Sequence, residues 1–103
     1  MLEVPIQSTP SQLVKAVLAG QNVQIALYQK DVGLFCDVNS DGVEIVSGVI
    51  CRNAVPIVCR EYAGFSGNLV FFDMQGSQDP EYSGLGGRYM LGYLTAEENA
   101  SIA

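Results

Sequence analysis

Hydrophobic and polar residues alternate along most of the chain in short runs, and turn-forming residues separate the runs. A period of two places successive side chains on opposite faces of a strand, so the pattern predicts antiparallel strands that each bury one face. No long segment follows the 3.6-residue period of a helix, apart from a helix start at residues 95–98. The sequence therefore predicts an all-β domain, a small antiparallel sandwich or barrel of about seven short strands.

Most of the predicted strands have one apolar face. Pro5 has no amide hydrogen for a ladder, so the first strand is predicted at a sheet edge or with the Pro5 nitrogen facing outward. Hairpin turns are predicted at residues 19–22 and 39–42, where Gly, Asn and Asp occur together. Gly48 inside a strand pattern predicts a bulge or a bend. The residues of the apolar faces are Leu2, Val4, Ile6, Val14, Ala16, Leu18, Val23, Ile25, Leu27, Leu34, Cys36, Val38, Tyr89, Leu91 and Tyr93.

The composition fits one folded domain with spare apolar surface. The chain has 103 residues, of which 49% are hydrophobic and only 16% are charged. Residues 1–95 are predicted to form a single β domain, and residues 96–103 a polar C-terminal tail. The small charged fraction leaves less solvated surface than a monomer usually has, which favours contact with a partner.

The charge balance disfavours several classes of partner. Five basic residues are scattered among eleven acidic ones, for a net charge of −6. Nucleic acids and anionic membranes bind proteins through clustered Lys and Arg, so neither is predicted as a partner. No signal peptide and no membrane span are predicted, because the apolar runs are short. The three cysteines have no paired spacing and are predicted to be reduced thiols of a cytosolic product.

One motif has the residue types of a calcium loop. Asp37, Asn39 and Asp41 alternate and are followed by Gly42, as in the first half of such a loop. The twelfth position, which needs a bidentate Glu, is Gly48. The apolar alternation also continues on both sides, so a hairpin turn is favoured, and a small ligand- or calcium-binding β-module is kept as the alternative.

Candidate catalytic chemistry is sparse. The chain has no histidine, which removes the usual general base of Ser and Cys catalysis and the commonest zinc ligand. Asp73, Asp79 and Glu81 are close enough in sequence to form an acid–base pair of the kind that hydrolyses glycosidic bonds. Nothing in the sequence fixes their separation, and loop carboxylates are usually solvated. The chain is therefore predicted not to be an enzyme, with no catalytic residues and no cofactor.

Residues 69–72 place large apolar side chains on both faces of one strand. An antiparallel sheet normally leaves one face in water, so the second face needs a cover. That cover is either another part of the chain or a partner protein, and exposed aromatic residues nearby would extend a partner surface. The candidate interface residues are Phe65, Leu69, Val70, Phe71, Phe72 and Tyr82.

Several segments, spread over nearly the whole chain, match one family in order. They are Glu3-Val4-Pro5-Ile6, Leu18-Ala19-Gly20-Gln21, the strand from Val23 to Tyr28, Asp37-x-Asn39-x-Asp41-Gly42 with Gly48, Gly67-Asn68-Leu69-Val70-Phe71-Phe72-Asp73, Asp79-Pro80 with Leu85-Gly86, and Leu91-Gly92-Tyr93-Leu94. In these segments the chain resembles a family of small tail proteins from bacteriophages with contractile tails, typified by a cyanophage baseplate plug protein.

The resemblance implies a structural role. It implies a non-enzymatic part of the virion at the centre of the tail baseplate, near the tube end, the hub and the spike, made in the host cytoplasm. It also implies that other tail and baseplate proteins are the partners, in a symmetric assembly of several copies. Free β edges and apolar faces would then be completed by neighbouring tail subunits.

Overall fold

The computed structural model describes residues 2–58, 67–95 and 97–98 of the chain. Within these residues, seven β-strands form two antiparallel sheets, and the all-β prediction is confirmed. The strands are β1 (Leu2–Val4), β2 (Ser11–Leu18), β3 (Gln21–Lys30), β4 (Gly33–Ser40), β5 (Val43–Ile50), β6 (Asn68–Asp73) and β7 (Tyr89–Leu94), and a 3-10 turn lies at Tyr82–Gly84. One sheet has the strand order β1-β7-β6, and the other has the order β2-β3-β4-β5.

The four-stranded sheet is a meander with two tight hairpin turns. Ala19 and Gly20 have φ angles of 51° and 77°, and Asp41 and Gly42 have 51° and 81°. Two consecutive positive φ angles define a type I′ turn, whose twist matches that of the flanking strands. Both turns lie where the sequence predicts them, although Ala19 takes the left-handed conformation and Asn22 is already part of β3.

β5 is irregular, as Gly48 predicts. Its pairing with β4 shifts register on both sides of Val38. Gly48 has a φ of 66°, and its N–H donates to Oδ1 of Asp37 at 2.7 Å. Because the Asp37 side chain receives an N–H at the bulge, the carboxylate stabilises the irregular backbone.

The core lies between the two sheets and follows the predicted apolar faces. Leu2 departs from the prediction and is 56% exposed, because it begins the edge strand β1, which pairs only with β7. The strand order confirms the predicted edge position of β1, but the strand ends at Val4, so Pro5 lies just after it and not within it. The buried core residues are Val4, Leu18, Val23, Ile25, Leu27, Leu34, Cys36, Val38, Ile45, Cys51, Ile57, Val58, Leu69, Phe71, Leu85, Tyr89, Leu91 and Tyr93.

Irregular segments connect the sheets. The described part of the link from β5 to β6 contains two isolated bridges, from Asn53 to Phe71 and from Pro56 to Val70. After β7, Thr95 and Glu98 exchange hydrogen bonds between side chain and backbone at 3.1 and 3.2 Å, the reciprocal contacts of a helix capping box. Most of the predicted tail lies outside the described residues.

Candidate partner-binding surfaces

The apolar strand β6 is covered mainly by its own chain. Leu69, Val70 and Phe71 have exposed fractions of 1% or less, so these three side chains offer no free surface in the single chain. Phe72 is half-buried and lies opposite Met90 of β7, which is also half-buried. The chain itself therefore covers three of the four side chains at residues 69–72, and contact with a partner stays a prediction for Phe72.

The two aromatic residues predicted to extend this surface have different places. Tyr82 is half-buried, packs against the core, and receives a hydrogen bond on its backbone C=O from the Ser8 hydroxyl at 3.1 Å. Its backbone N–H donates to the Gln29 side chain at 3.1 Å. Phe65 lies outside the described residues. Tyr82 is thus fixed to the rest of the domain, and only part of its side chain is available to a partner.

The outer edge of β6 is closed by residues 53–58, which we call the edge cap. The Ala54 N–H donates to the Phe71 C=O at 2.7 Å, and the Ile57 N–H donates to the Leu69 C=O at 2.8 Å. These two bonds take the place of a neighbouring strand. A sheet edge closed in this way is protected from pairing with another chain.

Asparagine side chains complete the edge cap at both ends of β6. Oδ1 of the buried Asn68 accepts the Val58 N–H at 2.9 Å, and its Nδ2 donates to the Val58 C=O at 2.7 Å. At the other end, Oδ1 of Asn53 accepts the Asp73 N–H at 2.8 Å. Buried backbone groups that no strand reaches are thereby satisfied.

β2 is one of the two edge strands of the four-stranded sheet, and its outer side is unpaired among the described residues. It pairs with β3 alone, in an unbroken register from Ser11 to Leu18. Leu13 and Val17 point away from the core and are 58% and 69% exposed. On the other face Val14 and Ala16 are only half-buried, although they pack against the core.

The hydrogen-bonding pattern shows which backbone groups face outward at this edge. The Gln29 N–H donates to the Pro10 C=O at 2.8 Å, which makes Pro10 and Gln29 a hydrogen-bonded pair. Such pairs alternate with unbonded ones along an antiparallel ladder. The N–H and C=O groups of Leu13, Lys15 and Val17 therefore point away from β3, and no other described part of the chain reaches them. We call these three residues the open edge.

Sequence reasoning did not find the open edge. It assigned Val14, Ala16 and Leu18 to the buried face and left the opposite face unremarked. The signal was nevertheless present, because Leu13-Val14 and Val17-Leu18 place apolar side chains on both faces, as residues 69–72 do. What the sequence does not show is that β2 has a neighbour on one side only.

The calcium-loop residues lie along β4 and the following turn. Oδ1 of Asp37 accepts hydrogen bonds from Gly48 N–H and from the Tyr28 hydroxyl, at 2.7 and 2.9 Å. Oδ1 of Asp41 accepts the Asn22 N–H at 3.1 Å, and Asn39 lies between the two acids on the extended strand. An extended strand spaces Asp37 and Asn39 about 7 Å apart. Among the described residues no group of three or more His, Cys, Asp or Glu side chains is placed to hold a metal ion.

The three carboxylates considered for acid–base chemistry, Asp73, Asp79 and Glu81, bind different partners. The buried Asp73 carboxylate accepts two hydrogen bonds from the Arg88 guanidinium, both at 2.8 Å, and also binds two backbone N–H groups of the following loop. The bonds to Arg88 hold the pKa of Asp73 well below its usual range. Asp79 accepts the Asn53 N–H at 3.0 Å, and Glu81 accepts the Ser83 hydroxyl at 3.0 Å. Each carboxylate thus orders a loop.

Two of the cysteines are buried in the core as free thiols. Cys36 lies on β4, and Cys51 follows β5. A hydrogen bond with Cys36, together with burial, raises the pKa of the Cys51 thiol above its ordinary value. The Cys51 thiol therefore stays protonated and belongs to the packing. Cys59 lies outside the described residues.

Comparison with protein families identifies the group to which this two-sheet domain belongs. A family model described as cyanophage baseplate Pam3 plug gp18 matches residues 1–97. A comparison with curated proteins finds no match. The chain belongs to this baseplate plug family, whose members are structural parts of the phage tail baseplate, and other tail proteins are therefore its partners. Within the described residues, no helix is long and apolar enough to cross a membrane.

Proposed function

We propose that this protein is a non-enzymatic structural part at the centre of a contractile-tail baseplate, near the tube end and the hub, and that it acts through contacts with other tail proteins. The observation that carries the proposal is the family match, which spans both sheets of the sandwich. The protein would be made in the host cytoplasm and would enter the virion during tail assembly.

The surface of the domain supports contacts between proteins. Leu13, Val17 and Val43 are each at least 58% exposed on the four-stranded sheet, and half-buried Phe72 and Met90 lie together on the other sheet. A protein with few charged residues and exposed apolar side chains gains stability when neighbours cover them. The net charge of −6 speaks against nucleic acid as a partner. Assembly in several symmetry-related copies would use such surfaces repeatedly.

The test is to locate the protein in particles of the phage that encodes it. Purified tails are analysed by quantitative mass spectrometry and by electron cryomicroscopy, next to tails from a phage with the gene deleted. We expect the protein in wild-type tails at a fixed ratio to the tube and spike proteins, with density at the baseplate centre that the deletion removes. Absence from the particle, or density at the baseplate periphery only, contradicts the proposal.

A further inference from the structure

The open edge of β2 is unlike the other sheet edges that the structure describes. The edge of β6 is closed by the edge cap, and β1 has only three residues. β5 carries two register shifts, which bend a strand and disrupt pairing with a flat neighbour. β2 by contrast has eight residues in one continuous register and no proline. It is thus the described edge best suited to accept another strand.

The backbone of the open edge supplies the hydrogen bonds for such pairing. Leu13, Lys15 and Val17 each present an outward N–H and C=O, and no described hydrogen bond uses them. The open edge starts after Gln12, because the Gln12 side chain forms hydrogen bonds of 2.6 and 3.0 Å with the backbone of Gln7. Strand addition obtains its affinity from main-chain bonds of this type and its specificity from alternate side chains.

The side chains of the edge specify the chemistry of the partner. Leu13 and Val17 flank Lys15 on the outer face, and half-buried Val14 and Ala16 lie on the inner face. Lys15 makes no described ion pair, and the β3 residue opposite it is the uncharged Gln24. Lys15 is therefore a single unneutralised positive charge between apolar positions. A strand that complements this edge has apolar side chains on both of its faces and one carboxylate next to Lys15.

A second copy of this chain fits the edge less well. Two β2 strands related by a two-fold axis pair antiparallel, and the register that uses all outward groups of the open edge places Leu13 opposite Val17 of the other copy. The same register places Lys15 directly opposite Lys15 of the second copy. Like charges in directly opposed positions destabilise a strand pair, so the edge favours a different chain.

We infer that the open edge of β2 receives an extended segment of a neighbouring baseplate protein, which adds a fifth strand to the sheet and places a carboxylate beside Lys15. The inference rests on the proposed function, since it names the surface through which assembly takes place. The added strand satisfies the outward backbone groups and covers Leu13, Val14, Ala16 and Val17.

Reconstitution with tails from a gene-deleted phage tests the inference. Purified protein is added to these tails, which are then pelleted, and the bound amount is measured for the wild type and three variants. Lys15→Glu reverses the charge of the open edge. Leu13→Pro removes one outward N–H, at a position where proline leaves the pairing with β3 intact. Lys30→Glu makes the same change of net charge on the exposed end of β3, where Nζ lies 5.4 and 5.3 Å from the ring centroids of Tyr28 and Phe35, and is the matched control for charge.

We expect Lys15→Glu and Leu13→Pro to lower the bound amount by about tenfold or more, and Lys30→Glu to bind like the wild type. Thermal unfolding of each variant shows whether it is folded, and if Leu13→Pro is not, the two charge variants still decide the outcome. Equal binding of Lys15→Glu and wild type overturns the inference while leaving the proposed function intact. Failure of the wild type itself to bind overturns both.

The oligomeric state of the free protein distinguishes between the two candidate occupants of the open edge, a neighbouring baseplate protein and a second copy of this chain. Sedimentation equilibrium is measured for the wild type and for Leu13→Pro. We expect the wild type to be monomeric, because the open edge is inferred to pair with a different chain and not with a second copy. A wild-type dimer that Leu13→Pro converts to a monomer would show that a second copy occupies the edge, and this result overturns the inference as stated.

Discussion

β6 and β2 both have a side that no regular strand covers, but the chain closes one and leaves the other open. On β6 the edge cap donates to the Leu69 and Phe71 carbonyls, and Asn68 and Asn53 bind the ends. On β2 the outward groups of Leu13, Lys15 and Val17 have no such partners among the described residues. The edge that the chain itself closes therefore contributes hydrogen bonds to the fold, whereas the outward groups of the open edge contribute none among the described residues.

Replacing a leucine by alanine on β6 and on β2 should give the largest difference in the free energy of unfolding. Leu69→Ala removes a side chain with no exposed surface and leaves a cavity, so we expect a loss of roughly 2–5 kcal/mol in the free energy of unfolding. Leu13→Ala removes a side chain that is 58% exposed and should change stability by no more than about 0.5 kcal/mol. Urea unfolding measures both, and similar losses in the two variants would show that β2 is as well covered as β6.

The next largest effect on stability is expected at Asn68, whose side chain closes one end of the β6 edge. Asn68→Ala leaves the buried N–H and C=O of Val58 without their side-chain partners, so we expect a loss of roughly 2–3 kcal/mol. The matched control is Asn39→Ala on the outer face of β4, with an expected change within about 0.5 kcal/mol. If both variants unfold at the same urea concentration, the edge cap does not depend on Asn68.

Alternation along the sequence predicts which side chains meet in the core but not which strands lie at the edges, and only Pro5 indicates the edge position of β1. Val23, Ile25 and Leu27 are buried as predicted, because a strand with one solvent-exposed face alternates polar and apolar residues along its own sequence. The edges depend on pairing between distant segments, such as β1 with β7. The edge cap has no period of its own, since it bonds through isolated bridges and side chains. Its position could therefore not be predicted from the sequence.

A smaller effect is expected at the third edge, β5, where Gly48 forms the bulge. Its φ of 66° lies in the left-handed region, so Gly48→Ala should cost about 1 kcal/mol. Crowding adds little, because the nearest atom to a new Cβ is the Tyr28 hydroxyl oxygen at 4.0 Å. Gly87→Ala is the control, since this glycine needs no positive φ and a Cβ meets its nearest neighbour at 3.9 Å. Equal stability of the two variants would mean that the bulge does not constrain β5.

The smallest effect is expected from calcium, which would compete for the carboxylate that holds this bulge. Asp37 already accepts the Gly48 N–H and the Tyr28 hydroxyl, and Asn39 and Asp41 lie further along the chain. Ligands to calcium must converge to within about 2.3–2.6 Å of one ion, which an extended strand does not allow. Calorimetry with calcium at about millimolar concentration should therefore give no binding heat. Heat that Asp37→Asn abolishes would mean that calcium binds the Asp37 carboxylate in place of the Gly48 N–H and the Tyr28 hydroxyl, and the calcium-binding alternative would then be supported.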